Sequence, residues 1–174
     1  MNTIARSLRV GSLVAAGLVA ALGTAPSAGA QDMGIKVGTI APSAAVVAMN
    51  GKPMDLADFY GDKPVVLEFW ATWCPLCRKL EPAMRAARRK HAGKVTFVSV
   101  GVSSNQTRKR QVAHATKQKM GGAFVFDRDD MAAKAFAVPH TSYVVVIDRN
   151  RKVVYTGVGD AQDIEAALRM AAIE

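Results

Sequence analysis

Cysteine is nearly absent from this 174-residue chain. Cys74 and Cys77 are the only two, which excludes a disulfide-dense scaffold and any zinc site built on four thiolates. Acidic residues are scarce as well: 14 Asp plus Glu stand against 23 Lys plus Arg, a formal charge of +9 that attracts anionic partners without defining a function. No internal repeat, low-complexity tract or interdomain linker is visible, so at ~100–200 residues per domain one domain is expected. Seven Pro and 14 Gly are too few for a collagen-like repeat, and 50% hydrophobic content is too high for a disordered tail. No apolar run reaches the ~20 residues that cross a bilayer as a helix.

Residues 1–30 contain no acid, carry Arg6 and Arg9, run apolar over 10–22, and end in Ala28-Gly29-Ala30. That pattern is expected of a secretory signal peptide cleaved after Ala30, leaving a mature domain over 31–174 with its charge lowered from +9 to +7. The alternative is an uncleaved membrane anchor, for which the apolar run is short. An exported, periplasmic chain meets an oxidising compartment, where a disulfide persists.

Beyond residue 44, Asn50-Gly51 between residues 46–49 and 53–56 predicts a hairpin. Residues 65–71, almost wholly apolar, predict a central strand covered on both faces. Leu76, Leu80, Met84, Ala87 and His91 recur at helical spacing over 75–91, with Arg78, Lys79, Arg85, Arg88 and Arg89 on the other faces and Gly93 as the stop. A strand at 95–102 completes a right-handed βαβ unit. A helix at 107–120, short elements at 124–126 and 131–136, strands at 142–147 and 152–156, and a last helix capped by Asp160 and running through Ala172 follow. Arg108, Lys109, Arg110, Lys117 and Lys119 read as a solvated basic face, without the aromatic interleaving of a single-stranded nucleic-acid site. No nucleic-acid partner is expected.

The two cysteines fall where the central strand gives way to a helix. Residues i and i+3 on a helical turn have Cβ atoms ~5–6 Å apart, near enough for a small shift to permit a disulfide. Pro75 suits the first helical position, and Cys74 then sits at the positive end of the helix dipole, which favours its thiolate. Lowering a thiol pKa from ~8.5 to ~6.5 raises the thiolate fraction at pH 7 from roughly 3% to roughly 75%, but lost nucleophilicity offsets much of the gain. The larger consequences are a better leaving group and a stabilised reduced form. Cys74 is therefore the candidate nucleophile and Cys77, one turn inward, the resolving thiol of a redox-active pair. A structural disulfide would close too small a loop to matter. Haem attachment requires His where Arg78 stands, and a peroxidatic Cys would have Thr where Ala71 stands. Soft-metal binding stays open: Cys74, Cys77 and His140 would suit a Cu(I) chaperone. A binder of anionic membrane surfaces or nucleic acid, driven by charge alone, is a third reading.

Glu68-Phe69-Trp70-Ala71-Thr72-Trp73-Cys74-Pro75-Leu76-Cys77, with Pro82 five residues on, resembles the active-site segment of thioredoxin-fold proteins, in particular the exported bacterial thiol-disulfide oxidoreductases of the TlpA/ResA type. The likeness spans about residues 36–172. It implies an α/β thioredoxin fold, a central mixed sheet flanked by helices with a short N-terminal hairpin extension. It also implies disulfide exchange with exported protein thiols, a reductive role as in cytochrome c maturation, a membrane thiol carrier as electron donor, and a monomer. Neither an organic cofactor nor a resident metal is implied. By resemblance Glu68 is the buried acid that exchanges protons with the resolving thiol, and burial should raise its pKa; a Glu paired to a nearby Lys is the structural alternative. Trp73, Pro75 and Leu76 would shape the docking surface, with Pro139, His140, Thr141 and Ser142 opposite. There the family carries a cis-proline directly before the strand that ends at the equivalent of Asp148. Counting back from Asp148 gives Ser142, whereas the nearest proline is Pro139. A trans peptide is expected at Ser142, since a cis bond there would cost ~3 kcal/mol or more. The turn after Asp148 departs too, with Arg151 in place of Gly and Asn150 expected to take the left-handed conformation.

Overall fold

The computed structural model describes residues 33–172; the expected signal peptide and its cleavage site lie outside them. Asn50-Gly51 reverses the chain between β1 (Ala45–Ala48) and β2 (Pro53–Asp55), and of the two only Gly51 takes positive φ, at 92°. A 3-10 turn at Leu56–Phe59 follows, closed by a capping box between Asp55 and Asp58. The chain then enters β3 (Val65–Trp70), every residue of which is buried. α1 (Pro75–Lys90) leads to β4 (Thr96–Val102), α2 (Arg108–Lys117) to β5 (Ala123–Asp127), and α3 (Met131–Ala135) to β6 (Tyr143–Ile147). β7 (Val153–Val158) and α4 (Ile164–Arg169) complete the fold.

One seven-stranded sheet runs in the order β2-β1-β5-β4-β3-β6-β7. β3 pairs parallel with β4, and β4 with β5; the remaining pairings are antiparallel. The expected βαβ unit is present, and the mixed sheet with flanking helices is a thioredoxin fold. The hairpin is less of an extension than its sequence implies, because Val47 and Ala48 pair with Phe126 and Val125 and continue the same sheet.

β3 and β6 read as unbroken apolar runs because both faces of the sheet are covered. On one face Val66, Val144 and Val146 pack with Leu80, Met84 and Ala87 of α1 and with Ile164, Ala167 and Leu168 of α4. On the other, Leu67 and Phe69 meet Ala132 and Phe136 at α3. Lys90 and His91 both reach Glu165, tying the end of α1 to α4.

Three local expectations are corrected. Asp163, not Asp160, caps α4 by accepting from the Ala166 N–H, while Asp160 pairs with Lys79. Leu76 is exposed and Cys77 takes its place on the buried stripe of α1, because the first turn of the helix overhangs the end of the sheet. Arg151, not Asn150, holds the left-handed turn, with φ 64°. Asp148 fixes that turn by accepting from the N–H groups of both Asn150 and Lys152, and Arg151 places its guanidinium 5.7 Å from the centre of the Tyr60 ring.

Gly101, paired with Trp70 across β3 and β4, lets α2 approach the end of the sheet. A Cβ there would overlap the side-chain amide of Gln111, which is buried and donates to the Val102 carbonyl at 3.1 Å. Gly101→Ala is expected to lower stability by ~1–3 kcal/mol, measured as a reduced urea midpoint at unchanged m-value. An unchanged midpoint would show that α2 can yield without loss.

Candidate active site

β3 delivers the chain to a short bend that ends at Cys74, and α1 begins at once with Pro75 in its first turn. Cys74 is the N-cap, and its Sγ accepts from the Cys77 N–H at 3.0 Å. Sulfur thus occupies the position where a helix N-terminus presents unsatisfied N–H groups and positive potential. Cys74 and Cys77 are joined as a disulfide with their Cα atoms 5.4 Å apart. In this oxidised form both are buried, at 2% and 6% exposure, whereas Trp73 and Leu76 stand out at 40% and 37%. The Trp73 indole is held by donation from its Nε1–H to the Ser104 carbonyl at 2.9 Å. Pro75 is exposed beside them, and Pro82 lies inside α1, removing one helical donor.

Behind Cys77 lies a cavity of about 160 Å³ walled in part by Glu68, Trp70, Glu81, His114 and Met120. Glu68 points from the α1 face of β3 and is 1% exposed. It is not the lone carboxylate that an apolar strand suggests, and its partner is no lysine: Arg88 donates to Glu68 Oε2 at 3.1 Å. The same guanidinium reaches Glu81 at 3.0 Å and Ser99 Oγ at 3.3 Å. Burial pushes the Glu68 carboxyl up to about 7; Arg88 opposes that shift and Glu81 adds to it. A carboxyl poised near neutrality can take or give a proton at physiological pH.

Arg88 and His114 are the residues that sequence reasoning missed. At 100° per residue, Arg88 stands eleven positions and three full turns plus ~20° beyond Cys77. Cys77, Glu81 and Arg88 therefore share a stripe of α1, and Arg88 belongs on the inner face, not with the solvated cations. That angular count was available from the sequence. No such signal marks His114, which reaches the cavity through a crossover helix and stacks against Trp70 with ring centroids 5.7 Å apart.

Opposite the cysteines, Ser142 is the residue pinned against β3. Its N–H donates to the Phe69 carbonyl at 2.8 Å and its Oγ to the Gly159 carbonyl at 3.0 Å, at φ 65°. Pro139 and Thr141 are half-buried in the preceding loop, His140 is exposed, and no peptide among the described residues is cis. Among the described residues no group of three or more His, Cys, Asp or Glu side chains could hold a metal ion, so the structure does not assemble Cys74, Cys77 and His140 as a ligand set.

A dithiol pair capping a helix at the end of the central strand of a thioredoxin fold defines a thiol-disulfide oxidoreductase. The comparisons with known proteins agree: the redoxin family profile matches residues 36–169, and the chain belongs to that family. It is 30% identical over 143 residues to the thiol-disulfide oxidoreductase ResA of Geobacillus thermodenitrificans, covering 79% of each chain, in keeping with the TlpA/ResA resemblance. It is 37% identical over 82 residues to the thioredoxin-like protein YneN of Bacillus subtilis, a match that spans 47% of this chain and 48% of that one. Among solved structures, that of a candidate thiol:disulfide interchange protein DsbE from Chlorobium tepidum superposes with a TM-score of 0.68 at 26% identity, over 79% of this chain and 96% of that one.

Proposed function

We propose that this oxidoreductase reduces disulfides of exported proteins in the periplasm, after export directed by residues 1–30, and that it serves cytochrome c maturation. The observation that carries this reading is the Cys74–Cys77 disulfide at the N-terminus of α1, backed by the buried Glu68 on the same cavity. The Cys74 thiolate attacks the client disulfide; a bond from Cys74 to client sulfur forms as the client S–S bond breaks and one client thiolate leaves. Cys77 then gives its proton to the Glu68 carboxylate and attacks Cys74 Sγ. The Cys74–Cys77 bond forms, the second client thiolate departs, and two electrons have passed from the pair to the client. A dithiol carrier at the membrane restores the reduced pair, and the protein acts as a monomer. Trp73, Pro75 and Leu76 on one side and the 139–142 loop on the other form the surface on which the client disulfide lies.

Glu68 must be ionised to accept that proton, so the resolving step should accelerate as pH rises through about 7. In Glu68→Gln the step is expected to slow about 10- to 100-fold at pH 7, with its pH dependence moved up to that of the thiol itself. Stopped-flow decay of a preformed mixed disulfide, followed from pH 5 to 9, measures this. A profile unaltered by the substitution would remove Glu68 from the mechanism. The reduction potential of the pair measured against the compartment tests the reductive direction.

A further inference from the structure

Cations crowd one side of the redox site. Arg78 is exposed and forms part of the cavity wall beside Cys77. Across the cavity, Arg110 and Lys117 flank His114 at i−4 and i+3, so all three share one face of α2. None of the ion pairs formed among the described residues uses Arg78, Arg110 or Lys117. His114 registers their convergence: burial, then Arg78, Lys117 and Arg110, hold its imidazole below the usual histidine range. The carboxylates on this side are already engaged, Glu81 by Arg85 and Arg88 and Glu68 by Arg88. On the far side of α1 the balance differs, with Asp160 paired to Lys79.

We infer that Arg78, Arg110 and Lys117 form a docking surface for an acidic polypeptide segment adjacent to the client's disulfide, laid along the α2 side of the cavity mouth. This rests on the oxidoreductase reading and specifies its substrate class. A polypeptide fits better than a lipid surface, because Arg78 and His114, which Arg110 and Lys117 flank, line a recess that opens on Cys77 and adjoins the exposed Trp73 and Leu76. Three unpaired cations around a concave site focus the field and accelerate encounter with an anionic segment.

The test uses two disulfide-linked model peptides that differ only in the residues flanking cysteine, Asp-Asp in one and Lys-Lys in the other, together with neutral 2-hydroxyethyl disulfide. The readout is the acidic-to-basic ratio of second-order rate constants, which cancels any change in intrinsic thiol reactivity. A ratio of about 10 or more is expected at low ionic strength, shrinking several-fold in 0.5 M salt. The triple variant Arg78→Glu/Arg110→Glu/Lys117→Glu should invert it. Lys63→Glu/Arg149→Glu/Lys152→Glu changes net charge equally at the opposite end of β3 and β6 and should leave the ratio within about twofold. If the site triple fails to fold, the corresponding Gln triple must bring the ratio near one. A ratio near one in the unmodified protein, or equal responses to the two triples, overturns the proposal. So does a site triple that keeps the ratio but loses binding to phosphatidylglycerol vesicles, which would assign these cations to a membrane surface. No exchange with any of the three disulfides would instead overturn the oxidoreductase reading and this inference with it.

Discussion

Replacing Cys77 with Ser is expected to leave client disulfides stalled as stable covalent adducts on Cys74. Cys74 caps α1, where the helix terminus favours a sulfur anion and makes it the attacking thiolate; release of the client then needs a second thiolate to attack Cys74 Sγ and expel the client sulfur. Only Cys77, one turn on and already within bonding reach, supplies that second attack without a further molecule. Cys77→Ser should therefore accumulate mixed disulfide to nearly one equivalent, visible on a non-reducing gel. Cys74→Ser should give none and lower turnover by about three orders of magnitude or more. Both cysteines are buried in the oxidised form, so the order of access matters. In the reduced protein, iodoacetamide should modify Cys74 before Cys77. Adducts on Cys77 in the Cys74→Ser variant would exchange the two roles, and a Cys74 closed to alkylation in the folded, reduced protein would end the mechanism.

Arg88→Met is expected to be the most damaging change away from the sulfurs. The Arg88 side chain is 8% exposed and stands between two carboxylates, one of them fully buried. Its loss leaves the buried Glu68 without a cation and Glu81 with Arg85 alone, a defect of about 3–5 kcal/mol, or roughly 10 °C in Tm for a domain of this size. The loss should depend on pH with a definite sign. Folded Glu68 keeps its proton up to about 7, against an ordinary value of 4.5, so the fold binds more protons than the unfolded chain in that window and this group lowers stability as pH rises through it. At pH 5 Glu68 is neutral and has less need of Arg88, so the variant should lose markedly less than at pH 8. Arg88→Met/Glu68→Gln should recover part of the loss at pH 8. Equal losses at both pH values would reduce Arg88 to a packing role. Without the guanidinium the Glu68 carboxyl is raised further, and the pH midpoint of the resolving step should move up with it.

Much of this was legible because the periodicity of 65–71 and 75–91 is strong and local. A fully buried strand followed by an amphipathic helix leaves little choice of where Cys74 and Cys77 fall, and Pro75 and Gly93 mark the ends of α1. The less legible parts share one cause, which is that they depend on what lies across the sheet. His114 enters the cavity only because α2 crosses β4 and β5 on the same face as α1. Asp163 caps α4 because the helix begins at Ile164, while Asp160 reaches Lys79 of α1, far away in sequence. The positive φ of Arg151 is accompanied by the ring of Tyr60, which no count along the turn reveals.

The sequence by itself determined the chemistry: two sulfurs one helical turn apart, the first at a helix N-terminus, at the end of a buried strand that carries a single acid. Those features depend on spacing and on local backbone rules, which a one-dimensional string records. Only the tertiary structure decided how that acid is held, and which cations face the cavity mouth. Charges interact through space, so the Glu68–Arg88–Glu81 bridge exists only once α1 is laid on β3, and the grouping of Arg78 with Arg110 and Lys117 only once α1 and α2 lie side by side on the sheet.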